Sequence, residues 1–452
     1  MATVLSSPPD SSVERRATLP AGFRAGGTTA GIKASGRPDL ALILATGGSA
    51  AAAAVFTPNA FAAAPVRLSR ANLAATSDDG RGGFGFASAV ISTSGSANAA
   101  TGPAGDADQE AVGRIVSTAF GIEASRVLHL STGIIGTRLP LDRVEAGVAA
   151  LAPALRDDDA GLEAAAEALR TTDSVAKVAT SSLVLPAPDG EPVTVTITGI
   201  AKGVGMIHPT MATMLSVVLT DAAIAPEVLW GILRPAAART WDQLSVDGDT
   251  STNDTVFVLA SGAAGTAPIT AGSNAAVAFG GALESVARDL ARQQAADGEG
   301  ATILITAAVR GASDDIDARA VARAVVSSSL VKAAAHGKDP NWGRIAGAAG
   351  NAVAASAPVL EAAGLASEDA ATRAGRPADV DPDRLRISIA GHLVFDGSGG
   401  GPVDFDRDAA RAAMDAPELL IELDLGLGEG VGEAFGCDLT QEYVIENSEY
   451  TT

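Results

Sequence analysis

Strand-sized apolar runs alternating with helix-sized, alanine-rich segments constrain this chain more than any other feature. The runs LALIL (40–44), AVISTSG (89–95), RVLHLST (126–132), PVTVTITGI (192–200), LSVVLT (215–220), TVFVLAS (255–261), ATILITAAV (301–309), LRISIAG (385–391) and ELLIELDLG (418–426) are short and apolar. Bounded by turn residues, they read as strands. Between some of them, residues 107–119, 142–154, 160–170 and 277–294 have helical length and abundant alanine. The alternation predicts a layered α/β architecture. Aromatic residues make up only 4% of the 452 positions, so the core has to be assembled from Ala, Val, Leu and Ile. The length predicts two domains.

Two stretches predict loops or insertions: 262–275, rich in small and polar residues, and 363–384, rich in small, polar and acidic ones. Residues 1–20 carry prolines and charges without an apolar segment and predict a disordered tail. LALILATGGSAAAAAVF (40–56) comes nearest to a membrane span, but its Thr-Gly-Gly-Ser interruption favours strand, turn and second strand. A net charge of −21 argues against nucleic acid or an anionic membrane as partner, since both need clustered Lys and Arg. Cys437 is the single cysteine, which leaves no internal disulfide and fits a reducing compartment, the cytoplasm.

The chemistry concentrates in GIAKGVGMIHPTMATMLSVV (199–218). Gly203 and Gly205 permit a close backbone approach, Pro209 bends the chain, and Ala212 leaves the carbonyl before Thr213 open. A threonine in an apolar segment is ordinarily a half-buried spacer. Here its hydroxyl could instead attack the preceding carbonyl, shift the acyl group from nitrogen to oxygen, and let hydrolysis cut the chain. The new α-amine, with a pKa of about 8, would then serve as base to its own hydroxyl. His208 is the rival base. The histidines at 129, 208, 336 and 392 stand near no serine or cysteine elbow, so a triad has little support.

GIAKGVGMIHPTMATML does not stand alone. VFTPNAFAAAPV (55–66), SGSANAATG (94–102), STGIIG (131–136), TTD (171–173), DGDTSTNDT (247–255), DGEGAT (297–302), DPNWGRI (339–345) and GCDLTQEYVIENSEYTT (436–452) accompany it. Together, in this order and over most of the chain, they resemble the ornithine acetyltransferase (glutamate N-acetyltransferase) family of arginine biosynthesis. The resemblance implies self-cleavage between Ala212 and Thr213, giving an α chain of 1–212 and a β chain of 213–452. Thr213 would then carry acetyl as an ester from N-acetylornithine to glutamate in a ping-pong cycle. Thr132 and Gly133 would form the oxyanion hole. Thr171, Lys202, Thr213, Glu299, Asn447 and Thr452 would bind substrate, the last two on a tail folded over the site.

The resemblance also implies an αββα sandwich, similar to self-processing N-terminal-nucleophile amidohydrolases, over 21–309, with the cut between its halves. A smaller C-terminal α/β domain over 310–452 and a heterotetramer of two α and two β chains are implied as well. No cofactor is implied, and acetyl-CoA stays open as a second donor.

Each assignment has a plainer counterpart. STGIIG reads as a strand-ending turn, Lys202 as an exposed lysine, Thr171–Asp173 as a helix stop, DGEG as a turn and ENSEYTT as a frayed end. Asp247, Asp249 and Asp254 lack EF-hand spacing, so DGDTSTNDT predicts a turn with side-chain-to-backbone bonds and no metal. DPNWGRIAGAAG predicts a helix start capped by Asp339, where Arg344 could hold a carboxylate, although a structural role ranks higher. Arg170, Ala100 and Ala60 depart from the family's usual residues. Rival functions are an amidase or aminopeptidase that gives its acyl group to water, a secondary-metabolism acetyltransferase with another acceptor, and a non-enzymatic amino-acid-binding homologue. Retention of Thr213, Thr132, Gly133, Lys202 and Glu299 speaks against the last.

Overall fold

The computed structural model describes residues 12–208 and 214–449. Two sheets lie face to face. The first orders β1 (Phe23–Thr28), β2 (Leu40–Ala45), β5 (Ala89–Ser96) and β6 (Val127–Ile134). The second orders β4 (Phe84–Ala87), β3 (Ala50–Phe56), β11 (Thr255–Ala260), β9 (Leu215–Thr220), β8 (Pro192–Lys202) and β7 (Lys177–Pro186).

Side chains alternate across each strand, and this period of two builds the layers. Ile43 of β2 and Leu128 and Leu130 of β6 share one core with Val217 of β9 and Phe257 of β11. The opposite face of the first sheet, with Leu42 and Ile91, packs with Val112 of α2 (Gly102–Phe120) and Val148 of α3 (Leu141–Leu151). Val218 and Val258 on the far face of the second sheet pack with Leu233 of α5 (Pro226–Arg239) and Leu283 of α6 (Asn274–Ala296). The inter-sheet core is completed by α1 (Ala64–Ala75) and α4 (Asp159–Leu169). The result is the αββα sandwich. Residues 40–56 do form strand, turn and strand, but β2 and β3 belong to different sheets, so Thr46–Ser49 cross the sandwich.

A third sheet orders β10 (Leu244–Ser245), β17 (Gly430–Cys437), β12 (Leu304–Ala312), β16 (Glu418–Asp424), β13 (Arg386–Ile389), β14 (His392–Asp396) and β15 (Gly401–Pro402). It packs on α7 (Asp315–Ser327) and α9 (Trp342–Ala349) through Val321, Val325 and Ile345. Position 310 falls inside β12, and β10 comes from the middle of the chain to pair with β17, so this sheet is stitched to the sandwich. Shorter helices are α8 (Ser329–His336), α10 (Ala357–Ala362), α11 (Ser367–Arg373) and α12 (Arg407–Ala413), and α13 (Gln441–Glu449) comes after the last strand.

Three local expectations need correction. Residues 12–20 are not a loose tail: Val13 and Ala17 are buried, Glu14 bridges Thr180, and Arg15 grips Asp289 at 2.8 Å. Apolar anchors and an ion pair more than 270 positions distant hold them, and neither is visible locally. The 363–384 stretch contains α11, which its alanines support. The cap of α9 is Asn341, whose side chain accepts from Arg344 N at 3.2 Å, while Asp339 accepts from the Asn341 amide.

One buried group in β6 predicts a pH effect on stability. His129 Nδ1 accepts from the Gln109 amide at 3.0 Å, and its Nε2 has no partner among the described residues. Burial pushes the imidazole down to about 3. The unfolded imidazole takes its proton near pH 6.5, so between those values the unfolded chain holds one proton more and stability falls as pH drops. The expected slope from this residue is about 1.4 kcal/mol per pH unit well below 6.5. Urea midpoints measured from pH 7 to 4.5 should flatten by that amount in His129→Gln, and parallel slopes would refute it.

Candidate active site

The parallel strands β5 and β6 end side by side, with Gly95 opposite Gly133. Gly133 has φ +126°, and a Cβ there would lie 2.4 Å from the Gly95 carbonyl carbon, so only glycine fits. Thr132, next to it, is buried. At the end of β8 in the opposite sheet, Lys202 Nζ donates to Thr132 Oγ1 at 2.9 Å. Asn253 secures this junction: its Nδ2 donates to Ala97 O at 2.7 Å and Ser131 O at 2.8 Å. The two sheets are therefore tied together at their ends.

The TTD turn is held by Asp173. Its Oδ2 accepts from Thr171 N at 3.0 Å, and its Oδ1 accepts from Gly203 N and Lys177 Nζ, both at 2.7 Å. Lys177 is fully buried and also meets Asp297 Oδ2 at 2.6 Å. Burial alone would raise the Asp173 carboxyl, but the Lys177 and Lys202 ammonium groups and the Gly203 N–H hold it well below the usual range. Burial lowers the Lys202 pKa, with Asp173 opposing.

Two residues after Asp297, Glu299 accepts from Asn447 Nδ2 at 2.9 Å and from Thr172 Oγ1 at 3.3 Å. Asn447 lies on α13, so the C-terminal helix reaches the cleft. Six of the residues singled out in the sequence, Thr132, Gly133, Thr171, Lys202, Glu299 and Asn447, line one cleft of about 150 Å³. Ala212, Thr213 and Thr452 lie outside the described residues. The strands on either side of the Ala212–Thr213 bond are described: Lys202 of β8 pairs with Leu215 of β9. His208 is set apart from the cleft, with Nδ1 3.0 Å from Ser245 Oγ, and burial pushes it down to about 4.

Asp247 accepts from Ile207 N at 2.8 Å and Asp249 N at 3.1 Å, as a turn residue does. Among the described residues, no cluster of three His, Cys, Asp or Glu side chains could hold a metal. The sequence reading missed Lys177, Asp297 and Asn253. A lysine opening a strand-like run is the one local hint of the first, while its partners Asp173 and Asp297 lie 4 and 120 positions away.

Gly205 carries a prediction. A Cβ there would lie 2.3 Å from Glu299 Oε2 and 2.5 Å from its Cδ. Gly205→Ala should displace the Glu299 carboxylate from Thr172 and Asn447 while sparing the Lys202–Thr132 side. With Glu299 as a substrate contact, the expected result is a KM raised about tenfold or more, the worth of one charged hydrogen bond, with kcat little changed. Steady-state kinetics would check it, and an unchanged KM would count against it.

An αββα sandwich whose small cleft brings a lysine-bound hydroxyl and a glycine together with a carboxylate fits an acyltransferase for a small charged substrate. The comparisons agree: the ArgJ family model matches residues 24–452, and the chain belongs to that family. It is 44% identical over 444 residues to the arginine biosynthesis bifunctional protein ArgJ of Synechococcus, covering 96% of this chain and 97% of that protein. Identity to the Thermus thermophilus protein of the same name is 41% over 434 residues, with 96% and 99% covered. Among solved structures, ornithine acetyltransferase from Mycobacterium tuberculosis complexed with ornithine is 41% identical over 44% of this chain and 98% of that chain, at a TM-score of 0.39. ArgJ from Bacillus halodurans is 38% identical over 53% of this chain and all of its own, at a TM-score of 0.46.

Proposed function

We propose that this chain cuts itself between Ala212 and Thr213 and then moves acetyl from N-acetylornithine to glutamate through a Thr213 ester. One observation carries the reading. Residues from separate motifs meet in one cleft at the end of β8, where the connection containing Thr213 leaves the sheet.

In the first event the Thr213 hydroxyl attacks the Ala212 carbonyl carbon, its proton passes to the Thr213 nitrogen as the C–N bond breaks, and water hydrolyses the ester to the Ala212 carboxylate and the restored hydroxyl. This frees the Thr213 α-amine, which takes the hydroxyl proton in each later cycle. The oxygen then attacks the acetyl carbon of N-acetylornithine. The negative oxygen that develops is met by the Gly133 N–H and the Thr132 hydroxyl. Because Thr132 Oγ1 accepts from Lys202, its own proton is left to donate. The α-amine returns its proton to the leaving nitrogen and ornithine departs. The amine of glutamate attacks the ester, and the hydroxyl is restored. Glu299 suits the free ammonium of the ornithine side chain, and Lys202 suits a substrate carboxylate. Asn447, Thr171 and Thr452 complete the binding set. The same reading pairs the products as a heterotetramer of two α and two β chains in the cytoplasm.

The test is an acetyl adduct. Protein incubated with N-acetylornithine should show one added acetyl group on the fragment beginning at Thr213, discharged faster by glutamate than by water. Discharge to water alone would make it an amidase. No adduct would overturn the proposal. A parallel incubation with acetyl-CoA decides whether that compound is a second donor.

A further inference from the structure

We propose that the cavity between α7, α8 and α9 is a second binding site, for a small molecule bearing a carboxylate or phosphate group held by Arg323 and Arg344. This cavity, of about 990 Å³, is separate from the catalytic cleft and is lined by His208, Arg323, Ser327, Asn341, Arg344 and Asn351 among others. No acidic residue lines it among the described residues, although the chain carries 53 acidic against 32 basic side chains.

Arg323 supplies the main argument. Its Nε and Nη2 make no hydrogen bond within the described protein and have almost no accessible surface, so an anion in the cavity meets them once the guanidinium turns toward it. Charged donors buried without a partner cost more than neutral ones, and a guanidinium fork is shaped for two oxygens of one anion. Asp242 is the carboxylate that acts on Arg323, and it also lies 3.9 Å from buried Arg234. Positive charge is therefore in excess behind the cavity wall. Burial also pushes the guanidinium down to about 10, against the pull of Asp242.

Arg344 comes from the DPNWGRI motif, which the catalytic reading leaves unused. It donates one N–H to Leu330 O at 2.8 Å, and its side chain lines the cavity. At the rim, Leu330 and Val353 are 62% and 56% exposed, which favours a ligand with an apolar body behind its anionic head. The site shares a wall with the catalytic centre: the connection after β8 presents Gly205 to Glu299 and His208 to this cavity.

Thermal unfolding of the purified full chain tests the site, with inorganic phosphate or acetate added at constant ionic strength. One anion should raise the wild-type midpoint saturably, and which one does so tells phosphate from carboxylate. Arg323→Met should be at least as stable as wild type without anion, since it removes two buried N–H groups that make no hydrogen bond, and should not respond. Arg344→Gln should respond with a half-saturation several-fold higher. Equal responses in wild type and Arg323→Met, or no response to either anion, would overturn the proposal. Should Arg323→Met fail to fold, line broadening of the phosphate ³¹P or acetate ¹³C signal by wild type but less by Arg344→Gln supports it, and no broadening by wild type refutes it.

Discussion

Thr213→Ala should remain a single uncut chain and lose acetyl transfer by a factor on the order of 10⁴ or more, because the proposed mechanism gives both jobs to one atom. Intact-mass spectra of wild type and variant decide this directly. Wild type should give two fragments, the second beginning at Thr213. Thr213→Ser should still cut and transfer, since it keeps the oxygen and loses only the methyl group that restricts χ1. A single chain from wild type would end the mechanism, and Thr213 would revert to a spacer in an apolar segment.

The largest expected effect on stability comes from Lys177→Met. The ammonium is fully buried between Asp173 at 2.7 Å and Asp297 at 2.6 Å. Removing it leaves two carboxylates short of a cation, which costs about 3–5 kcal/mol. Asp173 also holds Thr171 N and Gly203 N, so the Thr171 turn and the end of β8 should shift together. The sign with pH is fixed by the depressed Asp173 carboxyl: its stabilisation is present above the unfolded value of about 3.9 and lost as pH falls through the folded one. In Lys177→Met that loss should begin at higher pH. Urea midpoints across pH check both statements, and Lys177→Met/Asp297→Leu should recover part of the loss. A single variant within about 1 kcal/mol of wild type would show that the pair is not what holds the turn.

The strands were legible because apolar runs bounded by turns imply burial wherever they end up. Which sheet receives a strand was not. Leu40–Ala45 and Ala50–Phe56 are both wholly apolar, and nothing local says that four residues carry the chain from one sheet to the other. The cleft was legible through motif residues whose side chains touch it, such as Lys202 and Glu299. Their supports were not, because Lys177 meets Asp297 across 120 positions and Asn253 meets Ala97 across 156. Segment 12–20 was misread for the same reason, its composition saying little and Asp289 deciding its fate.

The order of the second sheet fixes a sequence of events in time. A break between Ala212 and Thr213 would put β9 and β11 in one fragment, while β3 on one side and β8 on the other stay with the other fragment. The later strands are slotted between earlier ones, so the two products cannot separate without tearing ladders on both flanks. Assembly before the break is a unimolecular event. After it, rebuilding the sheet would be bimolecular and concentration-dependent. Each fragment would carry half of a core that closes only around the other. Such a cut would be a one-way gate in the life of the molecule, and a severed pair once unfolded would return only as often as its fragments met.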